Sequence, residues 1–203
     1  MEKRTIETLS LDGGVLCLNF INTVHDRTVK EPFEYLSTYS CLVNWAAKVE
    51  ILTTSGQKKL KSVAKDNQKK AGRALGVCIK AREVLYHLFW AIAKDESPDD
   101  KTQAAFNDLL EKAMSQLKIR IDVELEVSHE WKDKTGLIYP LYPILKSAYD
   151  LLTSGNLDRV KECGACGWLF LDQSKNRSRK WCSMESCGSN VKAKRYYHRH
   201  KKK

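Results

Sequence analysis

The chain has 203 residues, 42% of them hydrophobic, and a formal net charge of +10 at pH 7. That apolar share can build a packed core, which excludes a wholly disordered chain. No apolar run approaches the roughly 20 residues a bilayer-spanning helix needs, and no signal-peptide core follows Met1-Glu2-Lys3-Arg4, so we expect a cytoplasmic protein with no membrane partner.

Residues 6–24 alternate around Asp12-Gly13-Gly14, a tripeptide suited to the positive φ of a tight turn. The pattern predicts two paired strands, the second largely buried. Residues 25–32 are polar and end in Pro32, which predicts a loop. From Phe33 to Leu52 the apolar residues Leu36, Tyr39, Leu42, Val43, Ala46 and Val49 recur at helical steps, with Trp45 beside them. Residues 55–68 read as a short exposed helix. Ala74, Cys78, Ala81, Leu85, Leu88 and Ile92 form the stripe of a longer one over 71–94. Ser97-Pro98-Asp99-Asp100 starts another, with Ser97 as N-cap and Phe106, Leu109, Leu110, Ala113 and Leu117 facing inward. Strict alternation from Ile119 to Val127 predicts a strand with one wet face, residues 132–136 a turn, and Leu137-Ile138-Tyr139 the return strand. A last helix carries Leu141, Leu145, Ala148, Leu151 and Leu152 and stops at Gly155-Asn156.

The final fifth holds Cys163-x2-Cys166, a fifteen-residue spacer, and Cys182-x4-Cys187. Two close pairs of thiolates match the tetrahedral shell of one structural zinc. Two disulfides or four unrelated cysteines are the alternatives; a reduced chain has little use for either. The small residues of the first pair let backbone amides approach the sulfurs. Phe170 and Trp181 are the expected apolar core of this module. Cys17, Cys41 and Cys78 sit in apolar contexts and read as small buried hydrophobes.

Residues 157–203 carry 13 Lys+Arg against 4 Asp+Glu, whereas residues 1–156 carry 22 against 21. A basic, metal-held end on a neutral body suggests a polyanionic partner. Lys175, Arg177, Arg179 and Lys180 lie between the cysteine pairs. Lys192, Arg195 and Arg199 fall on one face of the helix expected after Cys187, and Lys202 and Lys203 prolong it. These are the candidate nucleic-acid contacts, with DNA the leading partner and structured RNA or an acidic protein the competitors; a merely solubilising tail is the plainer reading.

The tail resembles the CGNR zinc finger in Cys163, Cys166, Phe170, Asp172, Ser174, Arg179, Trp181, Cys182, Ser183, Met184, Cys187 and Gly188. Ser189 and Asn190 stand where that family has Asn and Arg, and Lys192 keeps its lysine. The body resembles the ABATE domain in Leu16-Cys17-Leu18-Asn19-Phe20-Ile21-Asn22-Thr23, with Asn19 for Asp, and in Trp45. The resemblance implies a stress-induced transcriptional regulator with a sensor body. It also strengthens Asn22, Thr23 and Arg27 as a small-molecule site where a strand opens into a loop, although such residues also satisfy backbone groups at turns.

No Walker loop, G-x-G-x-x-G or H-E-x-x-H is present, and Ser55-x-x-Lys58 lacks partner motifs. We therefore expect no catalysis. The predicted fold class is α+β: a mainly helical body with short β-hairpins over 1–156, then a treble-clef-like four-cysteine zinc finger over 157–203. The body would sense an effector, form a homodimer, or both.

Overall fold

The computed structural model describes residues 3–200, apart from the side chains at 194, 195, 198 and 199. Helices dominate: α1 Leu16–Ile21, α2 Tyr39–Lys48, α3 Thr54–Asp66, α4 Gln68–Ala93, α5 Asp100–Met114, α6 Leu141–Thr153 and α7 Ser189–His200. Strands β1 Leu117–Ile121 and β2 Val127–Trp131 form one antiparallel hairpin; β3 Val160–Glu162 and β4 Leu169–Leu171 form another. The α+β expectation holds.

The predicted first hairpin is not there. Residues 16–21 are helical, with Cys17, Leu18, Phe20 and Ile21 fully buried against α4, α6 and β4. At six residues the helix makes fewer than two turns, and so short an apolar run cannot be told from a strand by its period. Its would-be partner strand is instead a turn around Ile6, gripped by Lys48 Nζ, which donates to the carbonyls of Ile6, Glu7 and Leu9 at 2.5–2.9 Å. Gly13 supplies close approach rather than a hairpin turn. A Cβ there would sit 2.7 Å from the Asn19 amide nitrogen.

The helix expected over 33–52 begins at Tyr39, where Thr38 accepts from the Cys41 amide. Before it, Val24 and Glu34 form a single bridge that closes the polar loop. α3 and α4 follow their predicted ranges closely. α5 is capped by Asp99, not Ser97: the Asp99 carboxylate takes the Thr102 amide at 2.8 Å. A charged carboxylate near the helix's positive end, its two oxygens taking the Thr102 amide and hydroxyl, outcompetes a hydroxyl two residues earlier.

The strand predicted over 119–127 is broken by a turn at residues 122–126, and β2 pairs back on β1 with Leu117 opposite Trp131 and Ile121 opposite Val127. Leu137 to Tyr139 is irregular chain leading into α6. Only the root of this hairpin reaches the core, through Trp131, whose ring lies 5.9 Å from that of Tyr142.

One apolar core runs through the molecule, from Phe20 and Trp45 (ring centroids 5.3 Å apart) to Val160, Trp168, Leu169 and Phe170 of the cysteine-bearing end. Burial pushes the Cys17 and Cys78 thiols up to about 12, in keeping with their reading as buried hydrophobes. No helix among the described residues is long and apolar enough to cross a membrane.

Candidate metal centre and nucleic-acid interface

β3 and β4 carry the first cysteine pair on the knuckle between them. The Cys163 amide donates to the Trp168 carbonyl at 2.8 Å, and the Gly167 amide returns to the Cys163 carbonyl at 3.0 Å. Gly167 has φ +70°, and a Cβ on it would press within 3.1 Å of Arg27; only glycine suits both demands. Cys182 lies on the return segment, and Cys187 in a π-helical turn, Met184–Gly188, that runs into α7.

The four ligand atoms lie within 4.8 Å of one another. Cys166 and Cys182 sulfurs are 3.8 Å apart, Cys182 and Cys187 3.7 Å, and Cys187 and Cys166 3.7 Å. A disulfide needs about 2.05 Å, so none is formed. Zinc–sulfur bonds of about 2.3 Å place tetrahedral corners about 3.8 Å apart. The Cys166, Cys182 and Cys187 sulfurs already stand at that spacing, with Cys163 within 4.8 Å of each. Amides of Ala165 and Cys182 face the Cys163 sulfur, and that of Trp168 faces Cys166, which offsets thiolate charge. The residues fit one structural zinc with every position taken by protein.

The finger is joined to the body along the end of α1. Asn22, buried, donates from Nδ2 to the Leu169 carbonyl at 2.8 Å and accepts the Leu169 amide at 3.1 Å. The Trp168 indole donates to the Val24 carbonyl at 2.6 Å. The Arg27 amide donates to the Cys166 carbonyl, and the Leu171 amide to Gly13, both at 2.9 Å.

These bonds account for the candidate ligand residues. Asn22 is occupied by β4. Thr23 is buried, donates to the Phe20 carbonyl and accepts from Arg82 Nη1 at 3.1 Å. Arg27 pairs with Glu83 at 2.9 Å, reaches the Ile21 carbonyl, and stacks 3.9 Å over the Tyr86 ring. Arg82, also buried, bridges Glu34 and Glu83. Burial alone would raise the Glu83 carboxyl, but Arg27 and Arg82 together hold it below its ordinary value. Asn22 and the Arg27 amide tie the body to the finger, and Thr23 bonds within the body beside them.

A cleft of about 480 Å³ opens beside them instead, between the body and the metal cage. His25, Asp26, Tyr35 and Asp12 line its body side; Cys166, Cys187 and Asn190 line the other. His25 Nδ1 lies 3.1 Å from the Tyr35 hydroxyl, and burial lowers the imidazole's affinity for a proton.

The described candidate nucleic-acid residues divide into two groups. Lys175, Lys180 and Lys192 are exposed and make no ion pair among the described residues. Arg177 pairs with Asp158. Arg179 stacks 5.1 Å from the Phe170 ring and donates to the Cys182 carbonyl, so it braces the finger. Trp181 lies over the knuckle and the fourth ligand's turn, within reach of Gly164 and Gly188. The side chains of Arg195 and Arg199, and all of Lys202 and Lys203, lie outside the described residues.

Asp172 was not foreseen as a functional residue, although the Phe-x-Asp-x-Ser spacing marks it. It is fully buried. One carboxylate oxygen takes the amide and hydroxyl of Ser174 at 3.0 and 2.6 Å; the other takes Lys161 Nζ at 3.0 Å and the Arg179 amide at 2.9 Å. Burial by itself would raise this carboxyl, but the bonds from Ser174, Lys161 and Arg179 win and hold it well below the carboxylate range. Asp172 thus pins both ends of the basic loop.

Residues 14–155 match the family model for ABATE, "Putative stress-induced transcription regulator". The chain belongs to the ABATE family. Residues 159–200 match the CGNR zinc finger, so the ABATE body and the CGNR finger follow each other in this chain as two adjoining matches. No curated protein is similar enough to count as a match. ABATE membership and the zinc cage together make this a zinc-binding protein of a regulator family.

Proposed function

We propose that this ABATE protein is a DNA-binding transcriptional regulator and not an enzyme. One observation carries the reading: Lys175, Lys180 and Lys192 stand exposed on the metal-held end with no ion-pair partner among the described residues, while the body is nearly neutral. Zinc shapes the knuckle and the start of α7; the lysines meet phosphates, and α7 lies along or within a groove. A cage closed by four cysteines leaves no position for substrate or water, which supports binding over catalysis.

Fluorescence anisotropy with duplex DNA tests this. With about five phosphates contacted, log K should fall against log salt with a slope of about −4 to −5. Converting Lys175, Lys180 and Lys192 together to Gln should shrink that slope by about 2 to 3. A slope indifferent to salt, or to these three residues, refutes the reading. Preference for structured RNA in direct competition would assign the finger to RNA instead.

We assign a small-molecule effector to the cleft beside the cage, because a molecule held there touches both body and finger. Its charged walls are Asp12 and Asp26, so amines are the class to screen. A thermal shift by an amine that vanishes in Asp26→Asn supports the assignment; no shift from any amine removes it.

A further inference from the structure

The near neutrality of the body is the sum of two unlike ends. Residues 58–80 carry eight Lys+Arg and a single acid, Asp66, whereas residues 95–133 carry 11 Asp+Glu against five Lys+Arg. All eight cations are exposed, and none makes an ion pair among the described residues. They cluster where α3 meets α4 at Asn67, which ends one helix and caps the next. A helical face that only meets water mixes its signs, as α5 does with Asp100, Asp108 and Glu111 among Lys101 and Lys112. Like charges three and four residues apart cost stability, so an unrelieved run of them calls for an anionic partner.

The cations are aligned. Lys58, Lys61 and Lys65 fall at i, i+3 and i+7 on one face of α3, and Asp66 is turned about 100° from Lys65. Glu7 lies within electrostatic reach of Lys61 but makes no ion pair with it. Lys69, Arg73 and Lys80 continue along the exposed side of α4. A groove of about 420 Å³ lies at this corner. Lys61 and Lys65 line it from α3, Gln68, Ala71 and Gly72 from α4, and Thr38 and Ser40 from the start of α2. A Cβ at Gly72 would meet nothing within 4 Å. No packing inside the chain explains glycine there, although glycine weakens a helix interior; its bare backbone leaves the groove open to close approach.

Lys58 to Lys65 covers about 10 Å of α3, and Lys69 to Lys80 about 16 Å of α4, at about 1.5 Å per residue. Cations strung out over that length suit a chain of repeated anions better than one small anion. A bilayer surface would ask for large apolar anchors among the lysines. The apolar residues lining this groove are small, as Ala64 and Ala71 are, or buried, as Tyr39 is. The phosphate backbone of a nucleic acid meets both conditions.

We propose that the α3–α4 corner is a second nucleic-acid contact, on the body and separate from the finger, holding backbone phosphates along Lys61, Lys65 and Lys69. The identity of the polymer rests on the DNA-binding reading above. α4 runs from this corner to Lys94, which pairs with Glu162 of the finger. The helix therefore sets the corner about 35 Å from that join, about ten base pairs of duplex.

The test uses the full zinc-loaded chain and a duplex of about 30 base pairs, long enough to span both surfaces at about 3.4 Å per pair. Lys61→Gln, Lys65→Gln and Lys69→Gln together should shrink the salt slope by about 2 to 3. They should weaken binding at least tenfold at low salt without lowering zinc content or melting temperature, since all three side chains are exposed. The loss should add to that of the finger's own lysine triple. Gly72→Glu, which sets a carboxylate into the open groove, should also weaken binding. Bound DNA should protect Lys61, Lys65 and Lys69 from acetylation, read by mass spectrometry, while exposed Lys101 and Lys112 stay reactive. A corner triple with the wild-type slope, or corner lysines that stay fully reactive under saturating DNA, overturns the proposal and leaves the finger reading standing. Loss from the corner triple with none from the finger triple keeps the corner and overturns the finger contacts. A chain that binds no nucleic acid at any salt overturns both. An acidic protein that DNA cannot displace from the corner gives the surface to that partner and overturns the proposal.

Discussion

Asp172 is a buried carboxylate whose oxygens between them accept from Ser174, Lys161 and the Arg179 amide. Replacing it with Asn keeps the size but sets an NH2 group against donors. We expect a loss of about 2 to 4 kcal/mol, read from denaturant unfolding. Because its folded pKa is depressed, its stabilisation is present above about pH 4, the range of an unfolded carboxylate, and is lost as pH falls through the lower folded value. The stability gap between wild type and Asp172→Asn should hold steady from pH 7 to about 5 and narrow below that. Asn22 is the matching residue on the body side. Asn22→Ala leaves the Leu169 amide and carbonyl unpaired in the interior, at a cost of about 2 to 4 kcal/mol. It should also speed zinc loss to a chelator followed by a colorimetric indicator. Nothing in the sequence announces this pair: the two residues are 147 positions apart, and a side-chain amide meeting a backbone leaves no periodic trace.

The elements divide by how much pattern their environment imposes. α4 and α6 each bury one stripe, so their helical period was plain, and the cysteine pairs were legible because metal geometry acts over a few residues. α1 was lost because six residues are too few turns for the helical period to stand out from a strand's alternation. The β1–β2 turn was lost because 122–126 contains no Gly or Asn; Leu125 takes the left-handed conformation, at φ 64°, which sequence rules reserve for other residues. Gly13 was read as a turn former and proves to be a contact between backbones. Gly13→Ala would drive a methyl into the Asn19 nitrogen and the Leu18 carbonyl carbon, each under 3 Å away. Backbone cannot rotate aside, so we expect a cost of about 1 to 3 kcal/mol in thermal unfolding.

At the scale of the whole molecule, body and finger share a core and a set of interior hydrogen bonds. Lys94 of the segment after α4 adds an ion pair to Glu162 at 2.5 Å. Metal binding free energy is therefore available to the body as well as to the finger. Calorimetry of the zinc-loaded protein should give one cooperative transition. Chelation, or Cys182→Ser, should lower its midpoint for far-ultraviolet signal from the body helices too. Two independent transitions, with the body unmoved by metal removal, would show that the shared core couples nothing.

The outer margin of β4 has a practical consequence. Leu169 presents both its backbone groups to Asn22, and Leu171 gives its amide to Gly13. The body thus stands where a third strand would be. Cutting the chain near residue 156 to study the cysteine-bearing part alone would strip that cover and bare an unsatisfied ribbon. Such a fragment should self-associate or precipitate even when fully metallated, and an experiment that needs it in solution has to carry α1 along.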